Sequence, residues 1–442
     1  MNFMVEVENS ICRLEDYNDY KYWYGRKAFT RVRKWSFMDY VIFILVNKGR
    51  SSVIEIEEYV EERWSDESKI ISKQALSKQR LLIKPKIFKD MNIDFIKDVF
   101  NSSQFEHDFE DYTILLVDGS DFQLPNIKIT KEEFNVAPDT IVYTQSPSVK
   151  ASMLIDAKYN LVVDVILGDY KSNERELVKQ HISNIEEKIN LEKTLIIFDR
   201  GYISLELMLF LENKGIKYLF RSNGRYYQNE ILAMKSRDET VQLEINSNRT
   251  QNIKDKNIKK QALNMEYYQT RISKPLLDNG VTEILFTNLT EAEADIHKLK
   301  ELYKMRWEIE LNYEKIKNKL RIENFSGKRR IIIEQDFYSQ IYIFNLQMAI
   351  QNKAQKELEQ ENKELREKSN KEKRPNTNLG IGRLKNNLIK MVLKPLTEIK
   401  IRLKNLIGKA VKFTTDYKFN RPSTNRKTKR RVKYPYNLRR SF

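Results

Sequence analysis

The chain has 442 residues and a formal net charge of +17 at pH 7, which indicates an anionic partner, most often nucleic acid. Its single cysteine, Cys12, excludes an intramolecular disulfide and, with three widely separated histidines, disfavours a zinc site. The longest apolar run, residues 37–46, contains Asp39 and is too short to span a bilayer, so we expect a soluble intracellular protein without membrane association.

Residues 1–107 are predicted to form a helical domain that binds DNA, one of about two to four domains that this length allows. Apolar residues recur near helical spacing over residues 51–63, and Ser72 is placed to cap a helix that begins at the next residue. The side chains expected on the polar face of this second helix are Lys73, Gln74, Ser77, Lys78 and Arg80. They suit phosphates and base edges, as in the recognition helix of a helix-turn-helix motif. An ordinary amphipathic helix gives the same pattern, and both interpretations stand.

Residues 108–352 are predicted to form an α/β domain with a mixed sheet. Continuous apolar runs indicate four buried strands, at residues 113–117, 149–155, 161–167 and 194–198. A polar, capped segment at residues 173–189 indicates a helix. The pattern is β-like again over about residues 221–289, which predicts a β-rich insertion. Thr290 and Glu293 then have the spacing of a capping box, which would open one long helix.

Residues 353–442 are predicted to contain a charged linker, helices and a basic tail. Residues 353–378 are rich in Lys, Glu and Asn and poor in apolar residues, which is typical of a solvated helix extension or a mobile linker. A helical segment follows at about residues 381–406. No acidic residue follows Asp416, whereas arginines and lysines crowd the tail. Such a block is typically disordered until it binds an acidic surface such as DNA.

The most informative segment of the predicted long helix begins at Tyr303. Tyr303, Arg306, Glu310 and Lys317 lie at offsets 0, 3, 7 and 14. A helix that turns about 100° per residue places these offsets within roughly 60° of arc. The carboxylate on this face can hold a divalent metal, and the flanking cations can hold phosphate oxygens. A solvated helix face with weak ion pairs would use the same residue types, but two acidic positions elsewhere fit the same site.

These two positions are Asp118 and Asp199, each at the end of a predicted buried strand. A carboxylate there is costly unless it is paired, hydrogen-bonded or bound to metal. If the two strands are neighbours, Glu310 can join the pair, and three converging carboxylates need divalent cations to offset their repulsion. Oxygen ligands select Mg²⁺ or Mn²⁺, and two such ions about 4 Å apart support in-line displacement at a phosphodiester.

Three sequence blocks together resemble a known family. The blocks Asp118-Gly-Ser, Asp199-Arg-Gly-Tyr and Tyr303-x₂-Arg306-x₃-Glu310-x₆-Lys317, in this order, resemble the bacterial insertion-sequence transposases of the DDE type with the Y-R-E-K signature. The resemblance runs from about residue 28 to the C-terminus. It implies a ribonuclease-H-like catalytic core with a β-strand insertion between the second aspartate and the glutamate. It also implies a bacterial cytoplasmic protein that joins the nucleoid when it binds DNA.

The resemblance further implies the roles of individual residues. The catalytic metal ligands would be Asp118, Asp199 and Glu310, holding two Mg²⁺ or Mn²⁺ ions. The side chains that would contact DNA are Tyr303, Arg306, Lys317, Trp307 and Arg200, although a packing role is the simpler one for Trp307. The implied reaction is strand hydrolysis at the transposon ends, often through a hairpin, followed by attack of the freed 3′-hydroxyl on target DNA. The implied partners are the terminal inverted repeats, the target DNA and a second copy of the chain in a homodimeric synaptic complex.

The chain departs from this pattern at one point. Related enzymes use a tryptophan from the insertion to stabilise a flipped base beside the hairpin, but no tryptophan lies between residues 221 and 289. The aromatic residues that could stack instead, or that could be core residues, are Phe220, Tyr226, Tyr227, Tyr267 and Tyr268. Core positions are the expectation for all five.

Two other functions remain open at this level. A catalytically inactive DNA-binding protein derived from such an element would rely on the N-terminal helices and the basic tail. The three intact acidic positions disfavour it, because a binding protein has no use for converging carboxylates that face phosphate. A nuclease of the same fold, which cuts without strand transfer, uses the same acids and metals and is not separated from a transposase by the sequence.

Overall fold

The computed structural model describes residues 3–31, 33–136, 147–169, 171–277, 280–320, 322–369, 371–392 and 394–418. The basic part of the tail, for which DNA binding is predicted, lies outside the described residues. Within the described part of the chain, no helix is both long and apolar enough to cross a membrane.

The N-terminal region is helical, as predicted. Its α-helices are α1 (Met4–Cys12), α2 (Phe37–Val46), α3 (Ser52–Arg63), α4 (Lys73–Arg80) and α5 (Lys86–Phe100), with short 3₁₀ turns at Arg13–Tyr17, Tyr20–Tyr22 and Glu67–Lys69. Helix α2 is apolar nearly throughout, and every one of its residues is buried, as expected for a helix without a polar face. Ser72 caps α4 as predicted, since its Oγ accepts a hydrogen bond from the backbone N–H of Ala75 at 3.2 Å.

Eight strands form one mixed sheet in the order β3-β2-β1-β4-β5-β8-β7-β6. They are β1 (Thr113–Gln123), β2 (Ser148–Asp156), β3 (Val162–Leu167), β4 (Thr194–Phe198), β5 (Lys217–Ser222), β6 (Asp238–Glu244), β7 (Tyr267–Ser273) and β8 (Ile284–Thr287). Strands β1, β4 and β5 are parallel, and β2 runs antiparallel between β1 and β3. This arrangement of the first five strands confirms the predicted ribonuclease-H-like fold class.

The insertion extends the sheet and does not form a separate one. Strands β8, β7 and β6 continue outward from β5 in antiparallel pairing, and they lie within the span of about residues 221–289 that the sequence predicts to be β-rich. The insertion also contains helices that the sequence did not predict: α9 (Gln228–Ala233), α10 (Ser247–Thr250) and α11 (Lys256–Leu263). They are short, so their apolar periodicity is weak.

The remaining helices of the central region are α6 (Lys128–Glu133), α7 (Glu174–Ile185), α8 (Leu205–Asn213), α12 (Ile296–Lys304), α13 (Trp307–Glu314) and α14 (Arg330–Glu357). The prediction of one long helix that opens at Thr290 is wrong. Thr290 and Glu293 do exchange the hydrogen bonds of a capping box, but the box closes only a turn, and Asp295 caps α12. Hydrogen bonds from residue i+3 to residue i join α12 to α13, for example from Arg306 N–H to the Tyr303 carbonyl. A π-helical turn, Lys315–Lys319, follows α13.

The C-terminal region is more ordered than predicted. It contains α15 (Glu359–Ser369), β9 (Lys371–Pro375), α16 (Thr377–Met391), α17 (Leu396–Lys412) and β10 (Thr414–Lys418), and β9 pairs with β10. The predicted solvated linker at 353–378 thus includes a helix and a paired strand. Arg366 explains part of this order, because its guanidinium bridges Glu359 and Glu372.

A contiguous cluster of buried apolar side chains runs from Phe3 to Ala410. Helix α14 is central to it and packs against α1, α2, α5, α16 and α17. Polar contacts on α14 reinforce the packing, such as the 2.7 Å hydrogen bond between Ser10 Oγ and Tyr342 OH. The N-terminal and C-terminal regions therefore share a core with the sheet domain, and the division at residues 107 and 352 stays a prediction.

Candidate active site

Two aspartates lie side by side where β4 ends. The last residues paired in parallel on β1 and β4 are Leu116 and Ile197, and Asp118 and Asp199 each lie two residues further along. Neighbouring residues in parallel strands at equal register point to the same side of a sheet. The sheet topology therefore brings together the two acids that the sequence singled out.

Asp118 is half-buried, like Asp199. Burial, with smaller contributions from the negative charges of Glu174 and Asp199, raises the pKa of Asp118 to about 6. A hydrogen bond from the Gly119 N–H at 2.8 Å and the positive charge of Arg306 act in the opposite direction. The hydrogen bond from Gly119 and the charge of Arg306 thus compensate only part of the negative charge of the site. Glu174, at the start of α7, was not a sequence candidate because no spacing links it to the other acids.

The junction of α12 and α13 brings the Tyr303 segment to these acids. Tyr303 OH donates a hydrogen bond to Asp199 Oδ1 at 3.3 Å, and the side chain of Tyr303 is buried. Arg306 donates from Nη2 to Glu310 Oε1 at 2.9 Å. Because the junction is wound more tightly than an α-helix, the expected straight stripe does not exist. Tyr303 and Arg306 still lie near Asp199, and Glu310 is joined to them through Arg306.

Glu310 is exposed and pairs with Arg306. Among the described residues, no group of three or more His, Cys, Asp or Glu side chains is close enough to hold a metal ion. The oxygen donors of Asp118 and Asp199 fit a hard divalent cation. Desolvation disfavours the charged form of Asp118, and a bound cation would compensate for that cost. Glu310 lies on the adjoining helix and would complete the set once its carboxylate leaves Arg306.

Lys317, the last member of the signature, is tied to the far end of β1. Its Nζ donates to Ser120 Oγ at 2.7 Å and to the Asp121 carbonyl at 2.6 Å. Tyr313 fixes the same strand, with its hydroxyl 2.7 Å from the Asp118 carbonyl oxygen. These contacts dock α13 and the π-helical turn along β1, so they set the position of Glu310 relative to Asp118.

Trp307 and Arg200 lie at the surface beside the acids. Trp307 is 60% exposed, so the packing interpretation of this residue is wrong. The Arg306 guanidinium lies 5.2 Å from the centroid of the Trp307 ring. Arg200 directly follows Asp199 and is exposed. Both side chains are therefore accessible to a polymer that binds over the two aspartates.

The predicted DNA contacts on α4 separate into two groups. Lys73, Gln74 and Lys78 are exposed, as a DNA-binding face requires. Arg80 is only 3% exposed, and its guanidinium bonds to Gln335 Oε1 and Asp336 Oδ1 on α14 at 3.0 and 2.7 Å. The prediction that Arg80 contacts DNA is therefore corrected: it is an internal ion pair that joins α4 to α14.

A basic loop before α2 was missed by the sequence analysis. The basic loop is residues 26–34, in which the five cations Arg26, Lys27, Arg31, Arg33 and Lys34 are all exposed and no acid intervenes. None of these five forms an ion pair with another described residue. The loop borders a cavity of about 920 Å³ whose other side is formed by α4 residues such as Ala75 and Gln79.

Phe29 anchors this basic loop. It has a left-handed backbone (φ 55°), which is rare for a bulky residue, and its ring packs against Phe37 and Tyr40 at 5.1 and 5.9 Å. The anchored ring fixes the backbone from which the cations project. The count of cations without an intervening acid was the sequence signal that could have identified the loop.

The aromatic candidates for base stacking also separate. Phe220 and Tyr268 are buried and Tyr227 is half-buried, so the expectation of core positions holds for them. Tyr226 is 53% exposed and Tyr267 is exposed as well. Tyr226 follows β5, whose carboxyl end lies at the edge of Asp118 and Asp199, whereas Tyr267 begins β7 at the opposite edge.

The fold and the paired aspartates define a protein of the ribonuclease-H-like class with an acidic site at the end of its central strands. The sequence profile described as Transposase DDE domain matches residues 110–346, more than half of the chain, and the chain belongs to this family. The matched segment spans Asp118, Asp199 and Glu310. The predicted resemblance to DDE transposases is confirmed.

Two individual proteins are similar to this chain. Transposase InsG of insertion sequence element IS4 from Escherichia coli (strain K12) is 25% identical over 256 residues, which cover 53% of this chain. The chain spans about half the length of this curated relative (51%). A cryo-EM structure of the piggyBac transposase synaptic complex with hairpin DNA aligns over 92% of this chain and 83% of its own, with 11% identity and a TM-score of 0.41. A similarity of that size adds no argument to the sheet topology.

Proposed function

We propose that this chain is a DDE transposase that cleaves DNA strands at insertion-sequence ends and joins the freed ends to target DNA. The observation that carries the proposal is the placement of Asp118 and Asp199 side by side at the end of β4, with Glu310 on the adjoining α13. Membership of the Transposase DDE domain family supports it. The same acids would serve cleavage and strand transfer, since both reactions displace an oxygen at phosphorus.

The proposed cofactor is Mg²⁺ or Mn²⁺, two ions per site, held by Asp118, Asp199 and Glu310. Divalent ions are general in this family, and when bound they supply an activated oxygen nucleophile and stabilise the leaving oxygen. The protein contributes the position of its ligands. Tyr303 orients Asp199 through their 3.3 Å hydrogen bond, and Tyr313 fixes the backbone of Asp118. Asp118 and Asp199 therefore need little rearrangement at the moment of reaction, whereas Glu310 would first have to leave Arg306.

The residues of the Y-R-E-K signature are proposed to hold DNA over this edge. Arg306 and Lys317 would bind phosphate oxygens next to the cleaved bond, with Tyr303 beside them. Arg200 and Trp307 are exposed at the same place, where a cation and an aromatic ring suit the backbone and an unstacked base.

Residues 1–107 are proposed to grip the terminal inverted repeats. Lys73, Gln74 and Lys78 on α4 suit phosphates and base edges, and the basic loop at 26–34 adds five exposed cations on the other side of the cavity. Residues 108–352 would then carry the chemistry. Residues 353–442, with the helices from α16 onward, would support a homodimer in the synaptic complex. The working location is the bacterial cytoplasm, at the nucleoid when DNA is bound.

The test is a cleavage assay on supercoiled plasmid that carries the element's own ends, with Mg²⁺, Mn²⁺ or EDTA. Wild type is compared with Glu310→Gln and with Glu308→Gln, a matched control on the same helix. We expect metal-dependent nicking at the ends that is lost only in Glu310→Gln. End binding without any cleavage by the wild type would reject the catalytic proposal and favour a DNA-binding protein.

A further inference from the structure

Arg306 is an unusual residue for a DNA contact because it is nearly inaccessible. Its side chain is only 5% exposed, whereas the cations of the basic loop are exposed to solvent. Taking a guanidinium out of water is costly unless carboxylates or hydrogen bonds replace the solvent. The groups that surround Arg306 therefore indicate the role of its buried charge.

Carboxylates surround Arg306 from several elements. Glu310 on α13 accepts its only hydrogen bond to another side chain in the described part of the chain, from Nη2 at 2.9 Å. The guanidinium also interacts electrostatically with Asp118 on β1, with Asp199 after β4, and with the buried Glu283 before β8. Arg306 is thus the cation shared by the acids of the proposed active site.

The guanidinium of Arg306 is not fully satisfied by these contacts. Its Nε atom is buried and has no hydrogen-bond partner among the described residues. Arg221, a neighbouring arginine, differs because it is half-buried and pairs with Glu283 at 3.5 Å. Arg13 and Arg63 also have a buried Nε atom without a hydrogen-bond partner among the described residues, so this feature alone does not distinguish Arg306. Arg306 differs from them because the carboxylate that it binds, Glu310, is a proposed metal ligand.

We propose that Arg306 is an internal counter-ion that occupies the acidic site until DNA and divalent cations arrive. Its positive charge offsets the repulsion between Asp118, Asp199 and Glu310, and its bond to Glu310 keeps that carboxylate away from the two aspartates. A DNA phosphate that takes Arg306 as its partner frees Glu310 to complete the metal site. The inference rests on the proposed function, because it takes the three acids to be the metal ligands.

Two consequences follow from this exchange. In the absence of DNA, the wild-type protein binds divalent cations weakly, because Arg306 already compensates the acids. Metal binding and DNA binding then favour each other. DNA that binds Arg306 releases Glu310 for the metal, and metal that binds Glu310 releases Arg306 for the DNA. This coupling would restrict cleavage to the time when DNA is seated on the site.

The test measures Mn²⁺ binding and not catalysis. Melting temperatures of the full chain without DNA are recorded in EDTA and over a series of MnCl₂ concentrations, for wild type, Arg306→Gln and Arg306→Lys. A ligand that binds only the folded state raises the melting temperature according to its affinity. We expect Arg306→Gln to bind Mn²⁺ about tenfold more tightly than wild type, with Arg306→Lys close to wild type because it keeps the charge.

Two further variants separate the possible outcomes. Arg221→Gln, which changes an arginine without a bond to Glu310, should respond to Mn²⁺ like wild type. The double variant Arg306→Gln with Asp199→Asn should lose the gain in affinity. Equal Mn²⁺ affinity in wild type and Arg306→Gln would overturn the counter-ion role. A gain that survives Asp199→Asn would also overturn it, and would in addition count against the aspartates as metal ligands, which the plasmid cleavage assay tests separately.

Discussion

The acidic edge of the sheet, formed by Asp118, Asp199 and the charged groups beside them, and the basic loop at 26–34 both carry many charges. The charges of the two regions differ in their exposure to solvent and in their pairing. At the acidic edge, most of the charged groups are partly or fully buried and are bonded to one another, as Arg306 is to Glu310 and Tyr303 to Asp199. In the basic loop, five cations are exposed and form no ion pair with other described residues. A buried charge acts on a few atoms at short range, whereas exposed cations act additively on any polyanion.

The contrast indicates where specificity and affinity reside. The acidic edge sets the chemistry and tolerates little change, because each charge there supports the others. The basic loop and the exposed face of α4 supply attraction to DNA, which salt screens. Substitutions can separate these two contributions, since a change at the acidic edge should abolish cleavage and a change in the loop should alter affinity.

The largest effect is expected for Asp118→Asn and Asp199→Asn. Each change removes a negative metal ligand without changing side-chain volume, and we expect cleavage to fall by about a thousandfold or more. Binding to end DNA should stay within about twofold, because the acids do not attract phosphate. Rates of strand nicking and gel-shift titrations measure the two properties. A variant that loses binding and cleavage together would contradict the separation.

A substitution of Arg80 tests whether a cation of the N-terminal region is buried and stabilises the fold, as the charges of the acidic edge are buried and bonded to one another. Arg80→Ala removes a buried guanidinium that pairs with Asp336 and bonds to Gln335, so we expect the free energy of unfolding to fall by about 3–5 kcal/mol. Lys78→Ala on the same helix is the matched control and should change stability by about 0.5 kcal/mol or less. Chemical denaturation measures both. Normal stability of Arg80→Ala, combined with weaker DNA binding, would restore Arg80 as a DNA contact.

The basic loop is tested by replacing Lys27, Arg31, Arg33 and Lys34 together with alanine. If all four cations neutralise phosphates, the slope of log affinity against log salt should become shallower by roughly 0.9 for each phosphate that is no longer neutralised. The melting temperature should change little because the four side chains are exposed. An unchanged salt slope would show that the cavity between this loop and α4 does not hold DNA.

Asp156 is a second buried acid, outside the proposed active site. Burial, and then the charge of Asp108, raises the pKa of Asp156 well above its ordinary value. The folded state therefore holds a proton that the unfolded state releases above about pH 4, and stability should fall as pH rises from there through the raised pKa. Asp156→Asn keeps the acceptor for the Tyr159 N–H and should reduce this fall by about 1 kcal/mol or more. Identical pH profiles of unfolding for wild type and variant would contradict it.

Much of the fold could be predicted because its signals are local. The buried runs at residues 113–117 and 194–198, and the aspartates that follow them, could be predicted from continuous apolar residues and a costly carboxylate. Asp199 does follow the end of β4, but β1 continues past Asp118 to Gln123, so Asp118 lies within its strand. The break between α12 and α13 could not be predicted in this way, because neither Met305 nor Arg306 is a helix-breaking residue. Tertiary contacts of Tyr303 and Arg306 with the acids accompany the break.

The same limit explains the errors at the site. Spacing placed Arg80 on a polar face, but only the position of Asp336, far along the chain, decides that the Arg80 side chain turns inward. Trp307 was named as a DNA contact with packing as its simpler role, yet α13 docks through Ile309 and Tyr313 and leaves Trp307 exposed. Glu174 joins the acids only through the sheet topology. In each case the missing information was a long-range contact.

One measurement separates the two regions within a single experiment: Asp199→Asn and the four-alanine variant of the basic loop are compared on one end-DNA substrate across a salt series. We predict that Asp199→Asn binds like wild type at every salt concentration and does not cleave. The loop variant should bind weakly at physiological salt, yet cleave at nearly the wild-type rate once low salt and excess protein saturate the DNA. If both variants show the same defect, the division between a catalytic acidic edge and a DNA-gripping basic loop is wrong.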